Sequence, residues 1–313
     1  MMLSLSNLNF PASPERVFGR TGPLVLEVGF GDGRFLAHLA RAHPAWNLLG
    51  AEVSPASVTR AFKRLRREGI TTARLYKGHG RFLVRNVVPP RGLHRVYVNF
   101  PDPWPRKRHH KNRLLQAGFF RLLSTRLEDG GALRLTTDHA EYFAFALEEA
   151  RSTGLFAVEE QPPPPATLQT KYALKWREQA RPIHHAVFAK TAEADEPFEP
   201  IQISKDMQHA LLEGDLSAAG GFTKQVHRFS GGVVILLNVY REMEGEGLLF
   251  PAIIEEEDLR QEVLVKARPH EGGVYVGLQR FGDPLTTKGA AEAVRAVTEW
   301  LETRGLRRVE TWF

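Results

Sequence analysis

Between Asn99 and Leu114 the chain reads NFPDPWPRKRHHKNRL. One acid, Asp102, stands in a turn that also holds Pro101, Pro103 and Pro105, and seven of the next eight residues from Arg106 on are basic or imidazole. Proline fixes its own φ and restricts the residue before it, so such a turn is stiff without many contacts. That stiffness suits a carboxylate that must stay positioned. Arg106, Lys107, Arg108, Lys111 and Arg113, with His109 and His110 among them, spread over a loop entering a helix and can meet phosphates on several sides. Trp104 is read as packing beneath the turn rather than as a base-stacking platform. The histidine pairs 109–110 and 184–185 do not suggest a metal. Adjacent strand residues point to opposite faces, and no carboxylate cluster completes a ligand set.

A second group lies upstream. EVGFGDGRF places Glu27, Gly29, Gly31 and Gly33 at alternate positions after an apolar run. Glycines there let the backbone turn sharply into a helix and approach a ligand closely. The spacing is not G-x-G-x-x-G, so a dinucleotide fingerprint fits poorly. GAEVS puts Glu52 at the end of the next apolar run, where a carboxylate can accept from both ribose hydroxyls. NAD and S-adenosylmethionine (AdoMet) both satisfy that geometry.

Positioning these groups requires a sheet whose strand ends converge. LVLEV (24–28), NLLGAEV (47–53), RVYVNF (95–100), ALRLTT (132–137) and HHAVFAK (184–190) read as strands. GRFLAHLARAH, SPASVTRAFKRLRREG, KNRLLQAGFFRLLSTRLEDG and DHAEYFAFALEEARSTG carry apolar residues at helical spacing between them. Ser54 or Pro55 starts the second helix and Gly69 ends it. The alternation predicts an α/β doubly wound parallel sheet, with Asn99 to Asp102 at the carboxyl end of its fourth strand, the edge where ligands lie. QPPPP (161–165) reads as a stiff spacer, and TAEADEPFEP (191–200) as an acidic linker. The expected organisation is a first domain over 1–190, the linker, and an α+β accessory domain over 201–313.

Charge is distributed unevenly across this plan. Residues 1–190 hold 29 Lys and Arg against 15 Asp and Glu, and residues 191–313 hold 13 against 21. Residues 60–113 alone hold 16 basic and 2 acidic side chains, so one block carries the first domain's excess and favours a polyanion partner. The acidic second part argues against a broad phosphate-binding surface there, although Arg304, Arg307 and Arg308 form a local basic patch. There is no cysteine, which excludes disulfides and thiolate metal sites. The first residues lack the layout of a signal peptide, and no apolar run approaches membrane-spanning length, so a cytoplasmic protein without membrane association is expected.

With these residues in view, NFPDPWPRKRHHKNRL resembles the signature of the tRNA (guanine-N7-)-methyltransferases, and EVGFGDG resembles motif I of AdoMet-dependent methyltransferases. The likeness extends over about residues 22–190 through GAEVS, TTDHAEY (136–142) and TKY (170–172). It implies a Rossmann-like class I methyltransferase sheet, AdoMet as cofactor, and tRNA as substrate, methylated at N7 of a variable-loop guanine, conventionally nucleotide 46. It further implies that Glu27, Gly29, Gly31, Glu52 and Asn99 hold the cofactor, that Asp102 is the catalytic acid of the PDPW turn, and that Arg106, Asp138 and Thr170 meet the substrate. Lys107, Arg108, His109, Lys111 and Arg113 would contact RNA. Two positions depart from the family pattern. His79, also assigned to the cofactor, stands where an adenine-facing Asp is usual and its imidazole can still hydrogen-bond the adenine, and Ala173 stands where a Glu is usual, with Glu178 available nearby. Another AdoMet-dependent RNA methyltransferase and a non-catalytic RNA-binding protein are the alternatives, but the latter leaves EVGFGDG, Glu52 and the PDPW turn unexplained together. A NAD-dependent oxidoreductase has no use for the basic segment.

Overall fold

The computed structural model describes residues 1–6, 8–169, 182–217 and 219–313. The chain forms two compact units that divide between Pro200 and Ile201, with the stretch Ser4–Asn7 grouped with the second.

The first unit is built on strands β1 (Leu24–Val28), β2 (Asn47–Glu52), β3 (Ala73–Lys77), β4 (Leu93–Asn99), β5 (Leu127–Thr137), β6 (Phe156–Glu160) and β7 (His184–Lys190), in the order β3-β2-β1-β4-β5-β7-β6. The first five run parallel, while β7 is antiparallel to both β5 and β6. Strand order reverses at β1 and β4, and their carboxyl ends lie side by side, which opens a crevice there. β1 is buried through its first four residues and β2 through its first five, as a central strand covered on both faces must be.

Among the described residues the longer helices of this unit are α1 (Arg34–Ala42), α2 (Pro55–Arg67), α3 (Ala117–Arg126) and α4 (Ala140–Thr153). Ser54 caps α2 as its spacing predicts, with its Oγ accepting from the Ser57 N–H at 3.4 Å, and Pro55 follows at the first helical position. The expected helix from Lys111 to Gly130 is shorter than its apolar spacing suggested. Residues Lys107–Asn112 form a 3-10 turn, α3 spans only Ala117–Arg126, and the following LEDGG belongs to β5. The helix stops where Leu127 turns extended (φ −70°, ψ 139°) and joins β5 opposite Leu93, and Arg126 secures that corner. Its buried guanidinium donates to the carbonyls of Val84, Arg85 and Phe198, which draws the end of α3 onto neighbouring backbone.

The segment read as a linker packs on the first unit. Glu193 pairs with Arg91 at 2.9 Å and Lys190 at 3.2 Å, the Ala194 N–H donates to Ser124 at 3.0 Å, and Glu196 pairs with Arg121 at 3.4 Å. Arg91 is thereby compensated internally, as is Arg64 by Asp32 (3.2 Å) and Glu68 (3.5 Å). The basic block is therefore smaller at the surface than in the sequence.

The second unit is an eight-stranded sheet of β8 (His209–Glu213), β9 (Gln225–Phe229), β10 (Gly232–Leu236), β11 (Tyr240–Arg241), β12 (Leu248–Glu256), β13 (Leu259–His270), β14 (Gly273–Leu278) and β15 (Arg307–Trp312). Helix α5 (Lys288–Glu302) buries Val294, Val297 and Trp300 against Val234, Phe250 and Val276. The residues of β8 carry no strand signature. HALLE is short and lacks β-branched residues, and it is a strand because β14 and β15 pair with it on both sides.

Candidate active site

The crevice at the carboxyl ends of β1 and β4 holds most of the residues expected to bind a cofactor. Glu27, Gly29, Gly31 and Asn99 line one pocket, joined by Phe30, Asp32, Ser57, Arg60 and Phe100. Parallel pairing sets Glu27 beside Tyr97, so Asn99, two residues on, faces the same side and lies diagonally across from Glu27. The Asn99 Nδ2 donates to Glu27 Oε1 at 3.4 Å. Both side chains are buried, yet Glu27 Oε2 and Asn99 Oδ1 have no hydrogen-bond partner among the described residues. Burial pushes the Glu27 carboxyl up to about 8, opposed by the Asn99 hydrogen bond and aided by the nearby Glu52 and Asp32 charges. Two buried oxygens without a partner, one of them on the raised carboxyl itself, describe a place for a cationic donor, whose charge would favour the ionised carboxylate.

The glycines earn their positions individually. Gly29, Gly31 and Gly33 have φ of +77°, +55° and +76°, a region that favours glycine. A Cβ on Gly33 would stand 2.8 Å from the Ala61 Cβ, so this glycine also lets the start of α1 pack against α2. Glu52 does not line the pocket. Its Oε2 accepts from the Gly31 N–H at 3.0 Å and its Oε1 from the Ser54 N–H at 2.9 Å, so it ties the glycine loop to the start of α2. His79 lies exposed just beyond β3, outside that pocket lining. Asp138 is half-buried just after β5. Thr170, Lys171, Tyr172, Ala173 and Glu178 lie outside the described residues.

Asp102 is exposed and follows the pocket-lining Phe100 by two residues. After β4 ends, the Phe100 N–H still donates to the Thr136 carbonyl at 2.7 Å. Phe100 then adopts φ +52° and Trp104 φ +44°. A bulky residue in the left-handed region is an outlier that costs about 1–3 kcal/mol and persists only where its surroundings hold it. Three prolines thus account for part of the turn's stiffness, and two strained residues bracket the acid. Trp104 is half-buried and meets the His109 ring edge-on at 5.9 Å between centroids.

Arg106, Lys107, Arg108 and Lys111 are exposed, and His109 is half-buried. Arg113 is corrected: it does not face RNA. Its side chain is 1% exposed, its Nε donates to the Pro103 carbonyl at 2.9 Å, and its Nη2 pairs with Glu141 Oε1 at 2.9 Å. A guanidinium so enclosed has no surface left for a phosphate. Sequence reading also missed Asp32, Ser57, Arg60, Phe100 and Glu141. Ser57 and Arg60 stand three apart at the start of a helix and share a hydrogen bond of 2.9 Å, a spacing that was available as a signal. The strain at Phe100 and Trp104 left no mark in residue type.

Residues 21–186 match the model of a family described as "putative methyltransferase". The chain is 53% identical to a tRNA (guanine-N(7)-)-methyltransferase of Thermus thermophilus over 96% of each chain. It is 42% identical to the like-named protein of Deinococcus radiodurans, over 97% of this chain and 98% of that one. Among solved structures, the antibiotic-resistance methyltransferase Kmr aligns with 62% of this chain and 100% of its own at 17% identity and a TM-score of 0.41. Among the described residues no helix is long and apolar enough to cross a membrane.

Proposed function

The chain belongs to the tRNA (guanine-N(7)-)-methyltransferase family, and from that premise we propose how its residues divide the work. It is an AdoMet-dependent enzyme that methylates N7 of a guanine in tRNA. The cofactor supplies an electrophilic methyl group on a sulfonium. Its cationic ammonium suits the two unpartnered acceptors Glu27 Oε2 and Asn99 Oδ1, and this is the observation that carries the assignment of the pocket. Gly29 and Gly31 leave room for close backbone approach, and Glu52 is assigned the ribose hydroxyls while it braces the loop.

N7 of guanine is an acceptor with a free lone pair, so no proton has to leave before in-line attack. The product purine is positively charged. Asp102 at the stiff turn is therefore assigned to orienting the base through its Watson–Crick donors and stabilising the developing charge. Positioning the two reactants in line can supply up to roughly 7–11 kcal/mol. Arg106, Lys107, Arg108 and Lys111 are assigned to phosphates, offsetting the few kcal/mol needed to unstack the base. Asp138 and Thr170, for the substrate, and His79, for the adenine, are assigned from the family resemblance alone. The target is read as the variable-loop guanine.

Methyl transfer to unmodified tRNA, with the modified nucleotide mapped, tests this reading. Incorporation at N7 of a variable-loop guanine is expected, and incorporation at another atom or in another loop would refute it. Asp102→Ala should lower the saturated rate by roughly 100-fold or more while cofactor affinity holds, as for loss of one electrostatic stabiliser.

A further inference from the structure

We propose that Arg113 is a positioning residue for the reaction, fixing the turn that carries Asp102 instead of gripping RNA. The inference rests on the function just assigned. Arg113 sits in a run of cations yet is withdrawn from solvent, with its guanidinium 4.8 Å from the Phe145 ring centroid and 5.6 Å from that of Tyr142. Its Nε donates to the Pro103 carbonyl at 2.9 Å, and Nη2 reaches the Trp104 carbonyl at 3.5 Å and Glu141 at 2.9 Å.

These contacts fall where the turn needs them. Proline sets φ at residues 101, 103 and 105 and biases the residue before each towards extended backbone, yet Phe100 and Trp104, both followed by a proline, hold φ +52° and +44°. Strained residues persist only where the surroundings over-determine them. A planar guanidinium fork can engage two successive carbonyls and a carboxylate at once, which a lysine ammonium cannot match. Burying that charge is costly unless it is paired, and Glu141 on α4 supplies the partner. The same carboxylate lies 3.6 Å from His110, so it sits beside both the Asp102 turn and the basic loop. Tyr142, next in sequence, is fully buried and accepts from the Leu115 N–H at 3.4 Å, which anchors that helix end.

Arg113→Lys keeps a cation and removes the fork. Single-turnover methylation at saturating tRNA and AdoMet is expected to slow by about 100-fold, the cost of a misplacement near 1 Å, with both dissociation constants within about twofold of wild type. Arg108→Ala serves as the reference for a phosphate contact, weakening tRNA binding and lowering its log–log salt slope by about 1. In an Asp102→Ala background, Arg113→Lys should add little, because its effect runs through Asp102. Weaker tRNA binding with an unchanged saturated rate, or full additivity with Asp102→Ala, would overturn the proposal. If Arg113→Lys does not fold, Glu141→Gln keeps both carbonyl bonds and should slow the step less, with the same non-additivity; an unchanged rate there overturns it equally. A wild-type chain that does not methylate tRNA would defeat the function itself, a result distinct from an active wild type with failed variants.

Discussion

Glu27 is the residue on which pH should act most clearly. Its carboxyl titrates near 8 in the folded chain because it is buried, whereas in the unfolded chain it titrates in the ordinary carboxylate range. Between those values the folded state holds more protons than the unfolded one, so this group makes stability fall as pH rises from about 4.5 to about 8. Glu27→Gln should flatten that part of the melting-temperature profile, and thermal melts at several pH values would check it. A cationic ligand beside the carboxyl favours its ionised form. AdoMet binding at pH 7 should therefore release a proton from the wild type and not from the variant, read as a buffer-dependent binding enthalpy. Equal proton release by both would remove Glu27 from the cofactor site.

At the scale of elements, the glycine loop separates two roles that residue type alone merges. Gly33 has both a positive φ and a close neighbour in Ala61, while a Cβ on Gly31 would meet nothing within 4 Å. Gly33→Ala should lose about 1–3 kcal/mol of stability or more, through strain and displacement of α1 from α2. Gly31→Ala should fold with a smaller loss and show its main effect in AdoMet affinity. Comparing melts with cofactor dissociation constants for the two variants tells packing from ligand approach. Equal behaviour would mean that the loop acts as one structural unit. This loop and the PDPW turn are both strand-to-helix connections at the carboxyl edge, one relaxed by glycine and the other held in strain by Arg113.

For the molecule as a whole, the consequential boundary is the one after Pro200. Residues 193–199 give the first unit two acidic partners for its surface arginines and a carbonyl for the buried Arg126 at 2.7 Å. A chain cut after Lys190 leaves that guanidinium short of an acceptor, which costs about 1–3 kcal/mol. A chain ending at Pro200 should therefore melt higher than one ending at Lys190. If the two melt together, the 191–200 strap contributes nothing to the first unit. The second unit has its own core beneath α5, and its residues carry the chain's acidic excess.

The alternation of strands and helices, the cap at Ser54, the glycine loop and the proline turn were legible in sequence because each is enforced within a few residues. Apolar period, a hydroxyl before a helix and a ring on the backbone nitrogen act locally. Tertiary structure decided what depends on neighbours remote in sequence. HALLE became a strand by pairing on two sides, and the acidic linker became a strap by meeting Arg91, Arg121 and Arg126. Arg113 reads like its cationic neighbours until Glu141, 28 residues on, and the Trp104 carbonyl enclose it. The sequence by itself determined which chemistry the chain carries. Only the fold decided which charges stay exposed and which are enclosed, because burial and pairing are properties of neighbours in space.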